Sequence, residues 1–249
     1  MVRKFVTLTG WLAVCLLAGC AVNPITGQEE LMLFSENYDV SIGQHYAPEI
    51  EKQMGGRIED ERLQSYVDYV GQKVAQASHK PELDYHFVAL EDKSVNAFAL
   101  PGGFIFVTRS LLELCQWNQD EVAFILGHEM GHVIRGHAMS RIVSNSAISA
   151  ASQAAPVRSL LAGWLRRVGV QFLESAYSRD LESEADKLGV RLTAAAGYNP
   201  RAAVQLLRRL SKLNSPANQF DLGSYFSSHP AFDVRIHNIN SLLRKLQLT

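Results

Sequence analysis

The sequence predicts an α+β domain, mainly helical, with a small β-sheet beside one histidine-bearing helix. Three observations carry this. Apolar residues recur at helical spacing over much of the chain, as in Leu63, Tyr66, Val67, Val70 and Val74. Two short runs rich in aromatic and branched residues, Tyr85 to Leu90 and Phe104 to Val107, read as strands. The stretch from Asp120 to His137 reads as a helix and contains His128-Glu129-x-x-His132. Residues four apart lie one turn above each other on a helical face, so both imidazoles can address one point.

The bulk properties suit one catalytic domain. A chain of 249 residues, 47% hydrophobic, can bury one substantial core. A formal net charge of −1 with no dominant basic stripe argues against nucleic acid as a partner.

The first residues read as a leader. Arg3 and Lys4 precede an apolar run from Phe5 to Leu17, and Leu17-Ala18-Gly19-Cys20 closes it with small residues before a thiol. This resembles a bacterial lipoprotein signal, and the run is too short for a comfortable membrane span. The expected organisation is a signal peptide at 1–19, a lipidated tether at 20–34 and a single domain at 35–249. Lipidation at Cys20, followed by Ala21, suggests attachment to the periplasmic face of the bacterial outer membrane. Cys115 is then the one spare thiol, so no disulfide is expected.

The elements follow in order. Asn23-Pro24 and Thr26-Gly27 supply turn chemistry in the tether. A helix is expected from Ser35-Glu36 to about Met54, ended by Gly55-Gly56, and a second from about Glu59 to Ala77. Between the two strands, Pro101-Gly102-Gly103 supplies a tight turn. The second strand leads through a short helix, Ser110 to about Leu114, into the histidine helix. It is therefore either a sheet edge along which an extended substrate pairs, or part of an ordinary core hairpin. After Ala138 to Ala155, a continuing helix, Val157 to Val170 is amphipathic and reads as a packing helix, a lid or a membrane contact. A long helix is expected from about Val170 to Ala196, and another from Asn199-Pro200 to about Leu213. A last amphipathic helix follows His229-Pro230.

His128 and His132 can hold a zinc ion, while Glu129 flanks them as a base for water. A third protein ligand is normally needed. A third histidine six residues beyond His132 would supply it in one known pattern, but that position is Ala138, and His137 misses it by one. Glu182 and Asp186, four apart on one helical face, offer an alternative: Glu182 as ligand and Asp186 as acceptor for a ligand histidine's second ring N–H. Glu184 points away from that face.

These motifs together resemble peptidase family M48, which contains the CAAX-prenyl proteases and the HtpX-type proteases, and in particular its bacterial lipoprotein branch. The resemblance rests on the Cys20-to-Gly27 tether, Asn96-Ala97-Phe98 with Pro101-Gly102-Gly103, and His128-Glu129-x-x-His132. It extends to Ser178-Arg179 through Glu182-x-x-x-Asp186, and to His229-Pro230 with Arg235. It implies a zincin-like, gluzincin-type fold holding one Zn²⁺ per chain and hydrolysing internal peptide bonds of unfolded or misassembled envelope proteins. It also implies that Asn96, Ala97 and Phe98 touch substrate and that Arg179 and Arg235 organise the acidic residues. His229 would either stabilise the oxyanion or close the metal site as an inhibitory ligand. The rival expectation is a lipoprotein chaperone or assembly factor with a silenced zinc site. Oligomeric state is left open.

Overall fold

Several helices in this chain start where a side chain can take up a free backbone N–H. The computed structural model describes residues 36–141, 176–213, 228–229 and 231–248, together with the backbone of residues 20–22 and 29–31. Within the expected tether, β1 (Cys20–Val22) and β2 (Glu29–Leu31) pair antiparallel. Helix α1 (Glu36–Gln53) is followed by α2 (Glu61–Gln76), whose cap is the Asp60 carboxylate accepting from Arg62 N–H at 2.9 Å. The buried stripe Val67, Val70 and Val74 lies on α2 as its spacing requires. The leader at 1–19 and the segment Val157 to Val170 lie outside the described residues, as does most of Ala138 to Ala155.

Strands β3 (His86–Leu90), β4 (Ala97–Leu100) and β5 (Phe104–Thr108) form one sheet in the order β3-β5-β4. β3 and β5 run parallel, and β4 pairs antiparallel with β5 through the Pro101–Gly103 turn. This corrects the expected edge: the strand that leads toward the histidine helix, β5, is central. The hairpin is β4–β5, and β4 is a strand the sequence pattern concealed. Its alternation sends Ala97 and Ala99 into the larger core and Phe98 and Leu100 into a smaller one. Large side chains on that second face, including Phe98, Phe104 and Phe106, pack under Ala47 and Ile50 of α1 and Met54 just beyond it. The outer edge of β3 is covered by residues 56–58, through Ile58 N–H to Ala89 C=O and Glu91 N–H to Gly56 C=O. Among the described residues, β4 is therefore the open edge.

Thr108 ends β5 and caps α3 (Arg109–Leu114) by accepting from Leu111 N–H. Helix α4 (Gln119–Ile134) starts at Asn118, whose Oδ1 accepts from Asp120 and Glu121 N–H. Every residue from Glu121 to His132 on α4 is buried. Helix α5 (Arg179–Ala195) makes the most extensive helix contact in the chain with α4. It begins at Arg179 and not near Val170, because Ser178 takes the cap by accepting from Leu181 N–H and residues 176–178 are not helical. Helices α6 (Ala202–Leu213) and α7 (Phe232–Lys245) complete the larger core. No helix among the described residues is long and apolar enough to cross a membrane.

Candidate metal centre

Three separate parts of the chain meet at one buried point. α4 supplies His128 and His132, α5 supplies Glu182, and His229 arrives two residues before the left-handed Ala231 that starts α7. One donor atom from each of these four residues lies within 4.8 Å of the others. His132 Nε2 is 3.2 Å from His128 Nε2 and 3.3 Å from Glu182 Oε1. His229 Nδ1 is 2.9 Å from Glu182 Oε1 and 3.4 Å from His128 Nε2. Donors about 2 Å from a tetrahedral zinc ion lie about 3.3 Å apart, so the side chains present fit that ion.

The approach of α5 to α4 depends on small residues. A Cβ at Gly189 would meet the backbone N of His128 at 3.0 Å and its Cα at 3.1 Å. With glycine there, the two backbones come close enough for Glu182 to reach the histidines two turns along.

The outer ring nitrogens are engaged as well. His128 Nδ1 lies 3.1 Å from Asp186 Oδ1. Arg235 Nη2 is 3.4 Å from the same nitrogen, but the nearer carboxylate is the group able to accept a ring N–H. Arg235 grips Asp186 with both Nε and Nη2, at 2.9 and 2.7 Å, while its Nη1 reaches Glu182 Oε2 at 3.0 Å. Burial pushes the Asp186 carboxyl up, but Arg235 and His128 outweigh it and hold the group below the usual range. Burial likewise raises Glu182, and the opposing pull of His229 and Arg235 holds it well below its ordinary value. Burial lowers His229, yet Glu182 and Glu129 reverse the sign and leave it raised. Burial dominates at His132 and keeps it well below the ordinary histidine value.

Glu129 is 1% exposed, and neither carboxylate oxygen has a hydrogen-bond partner; His229 Nε2 is 3.5 Å from Oε1. A buried carboxylate without hydrogen bonds is costly and marks a place where further polar chemistry belongs. Arg179, expected beside the acidic residues, is instead exposed in the first turn of α5; Arg235 occupies the position over Asp186. Asn96, Ala97 and Phe98 are buried at the start of β4, and the Ala97 and Phe98 side chains face the two cores. Only their main chain lies along the open edge. Two residues near the site were missed. Tyr177 stacks on His132 with ring centroids 3.9 Å apart, and its N–H donates to Ser228 C=O next to His229. His137, set aside as a ligand, sits with Nδ1 3.0 Å from His132 Nδ1. An aromatic one residue before a helix cap and a histidine five beyond a ligand carry no periodic signal.

A buried carboxylate held ready beside a metal-binding cluster is equipment for hydrolysis, and the protein is of the metallopeptidase class. It belongs to peptidase family M48, whose sequence signature covers residues 61–243. It is similar to the mitochondrial metalloendopeptidase OMA1 of Arabidopsis thaliana, 34% identical over 63% of this chain and 31% of that protein. It is also similar to OMA1 of Schizosaccharomyces pombe, 29% identical over 96% of this chain and 73% of that protein. The metalloprotease LoiP of Escherichia coli is 34% identical over 59% of this chain and 58% of its own length. The chain thus spans about a third of the Arabidopsis protein.

These relatives correct the expected location. Attachment by Cys20 to the periplasmic face of a bacterial outer membrane does not stand, because the relatives matched over most of the chain are mitochondrial proteins. The expectation rested on residues 1–20.

Proposed function

We propose that the protein is a zinc endopeptidase, with His128, His132 and Glu182 as protein ligands and Glu129 as general base. The observation that carries this is the convergence of those three donors beside the Glu129 carboxylate, which accepts no hydrogen bond among the described residues. The printed names of relatives, metalloendopeptidase and metalloprotease among them, support the same reading. When bound, zinc supplies Lewis acidity that lowers the pKa of water and polarises a peptide carbonyl. Glu129 takes the proton from the attacking water and later delivers it to the leaving amine. Asp186 accepts the Nδ1–H of His128, so the Nε2 lone pair faces the site, and Arg235 fixes Asp186 in turn. Substrates are unfolded or misassembled polypeptides, because an extended segment can add its main chain to the open edge of β4.

One observation favours a second, resting state of the same site. His229 Nδ1 stands among the ligand donors, where it would be a fourth protein ligand to a bound ion and keep the site closed until it moves. The rival reading as a chaperone or assembly factor would make that closure permanent.

The experiment is Glu129→Gln, with zinc content and cleavage of an unfolded protein measured together. Zinc is retained and cleavage falls by roughly 10²–10⁴-fold, the usual share of a general base. Full activity in the variant overturns the mechanism. Zinc-loaded wild type that binds unfolded chains without cutting them supports the chaperone.

A further inference from the structure

We propose that His137 is a positioning residue for the metal centre: it accepts the Nδ1–H of His132 and forms a His–His relay behind that ligand. The proposal rests on the zinc reading of the site and adds to it the group that sets the second ligand's tautomer.

The argument starts from helix geometry. Residues five apart on an α-helix do not share a face, so His137 could not touch His132 if α4 ran on. α4 ends at Ile134, Arg135 N–H closes the last turn on Gly131 C=O, and Gly136 adopts φ +66°. That left-handed step, which glycine takes without steric cost, turns the chain so that a new helical stretch starts at residue 137. It brings the two Nδ1 atoms to 3.0 Å, with ring centroids 5.1 Å apart. Both rings are buried, His137 4% and His132 0% exposed.

Proton counting then fixes the roles. His132 Nε2 points at Glu182 and His128, the metal side, so its lone pair belongs there and its single proton sits on Nδ1. His137 Nδ1 must therefore accept, which places the His137 proton on Nε2. That nitrogen lies 3.7 Å from Glu184 Oε2, beyond hydrogen-bond distance, and Glu184 is held by Arg135 at 2.8 Å from the same oxygen. His137 thus stands behind His132 as Asp186 stands behind His128, but as a neutral acceptor and not a carboxylate.

The opposite assignment, His137 donating to His132 Nδ1, would put the His132 proton on Nε2 and deny that atom to a metal. The two assignments are distinguishable. In the full chain with ¹⁵N-labelled histidine and one equivalent of zinc, the NMR spectrum shows His132 protonated at Nδ1 and bare at Nε2. Zinc affinity, measured by competition with a chromophoric chelator, falls roughly 10–100-fold in His137→Ala, the usual loss when a ligand's outer partner is removed. His137→Gln, whose amide oxygen can accept the same proton, recovers most of that loss. A merely space-filling His137 would be rescued equally by His137→Leu, which fills the volume but accepts no proton. Unchanged zinc affinity in His137→Ala, or a zinc-loaded His132 protonated at Nε2, overturns the relay while leaving the metal site intact. A wild-type protein that binds no zinc overturns both.

Discussion

At the scale of single residues, the centre is held by charges whose partners are nearly all internal. His229 is the residue with two possible readings, and its position among the donors decides the expectation. On the proposed reading that His229 closes the zinc site, His229→Ala should cleave an unfolded substrate several-fold faster than wild type in initial-rate assays. Equal or slower turnover would show that the imidazole assists the reaction instead. Away from the site, Asp39 on α1 is the carboxyl with the opposite electrostatics. Burial pushes it up to about 6, with Lys80 pulling down and Glu36 adding to the rise. Its folded value lies above its unfolded one, so folding binds a proton. The contribution is fully present below about pH 4 and is lost as pH rises through 6. Asp39→Asn should therefore gain melting temperature relative to wild type at pH 7 and show little gain at pH 4. An equal difference at both values would remove Asp39 from this role.

At the scale of elements, the pairing of α4 with α5 carries the site. Both helices were readable because their signals are local: two histidines four apart, and two acids four apart. What the sequence did not expose depends on contacts across the fold. β4 was missed because Ala97 and Ala99 turn inward and leave no aromatic or branched alternation to read. The resemblance names both Arg179 and Arg235, and Arg235 is the one that folding brings to Asp186. His137 needed a left-handed glycine to reach its partner, and no spacing rule for a continuous helix foresees that. The close approach of α4 and α5 also makes a quantitative expectation. Gly189→Ala puts a Cβ 3.0 Å from the His128 backbone, and relieving it moves one helix against the other. Overpacking of this kind costs roughly 1–3 kcal/mol. Urea unfolding should show that loss, and kcat should fall further than global stability alone explains. A variant with wild-type stability and turnover would mean that the helices are not at their closest approach.

At the scale of the whole molecule, the donors tie together α4, α5 and the segment entering α7, which are distant in sequence but adjacent in space. A ligand that binds only the folded chain stabilises it by mass action, about 4 kcal/mol when its free concentration is a thousand times its dissociation constant. Chelation should therefore lower the melting temperature, and added zinc should restore it. An identical melting curve with and without metal would count against a site shared among these elements. The cores themselves do not need the ion: the sheet is packed on both faces, by α1 on one side and by α2 and α4 on the other.

The distance along the chain between His128 and His229, 101 positions, has a consequence for timing. A chain made from its N-terminus carries both helical histidines and the base well before Glu182, Asp186 or Arg235 exists. Closing loops of that length costs entropy that only late tertiary contacts repay. The four donors can therefore meet only once His229 has been made, so the cluster is among the last parts of the fold to be completed.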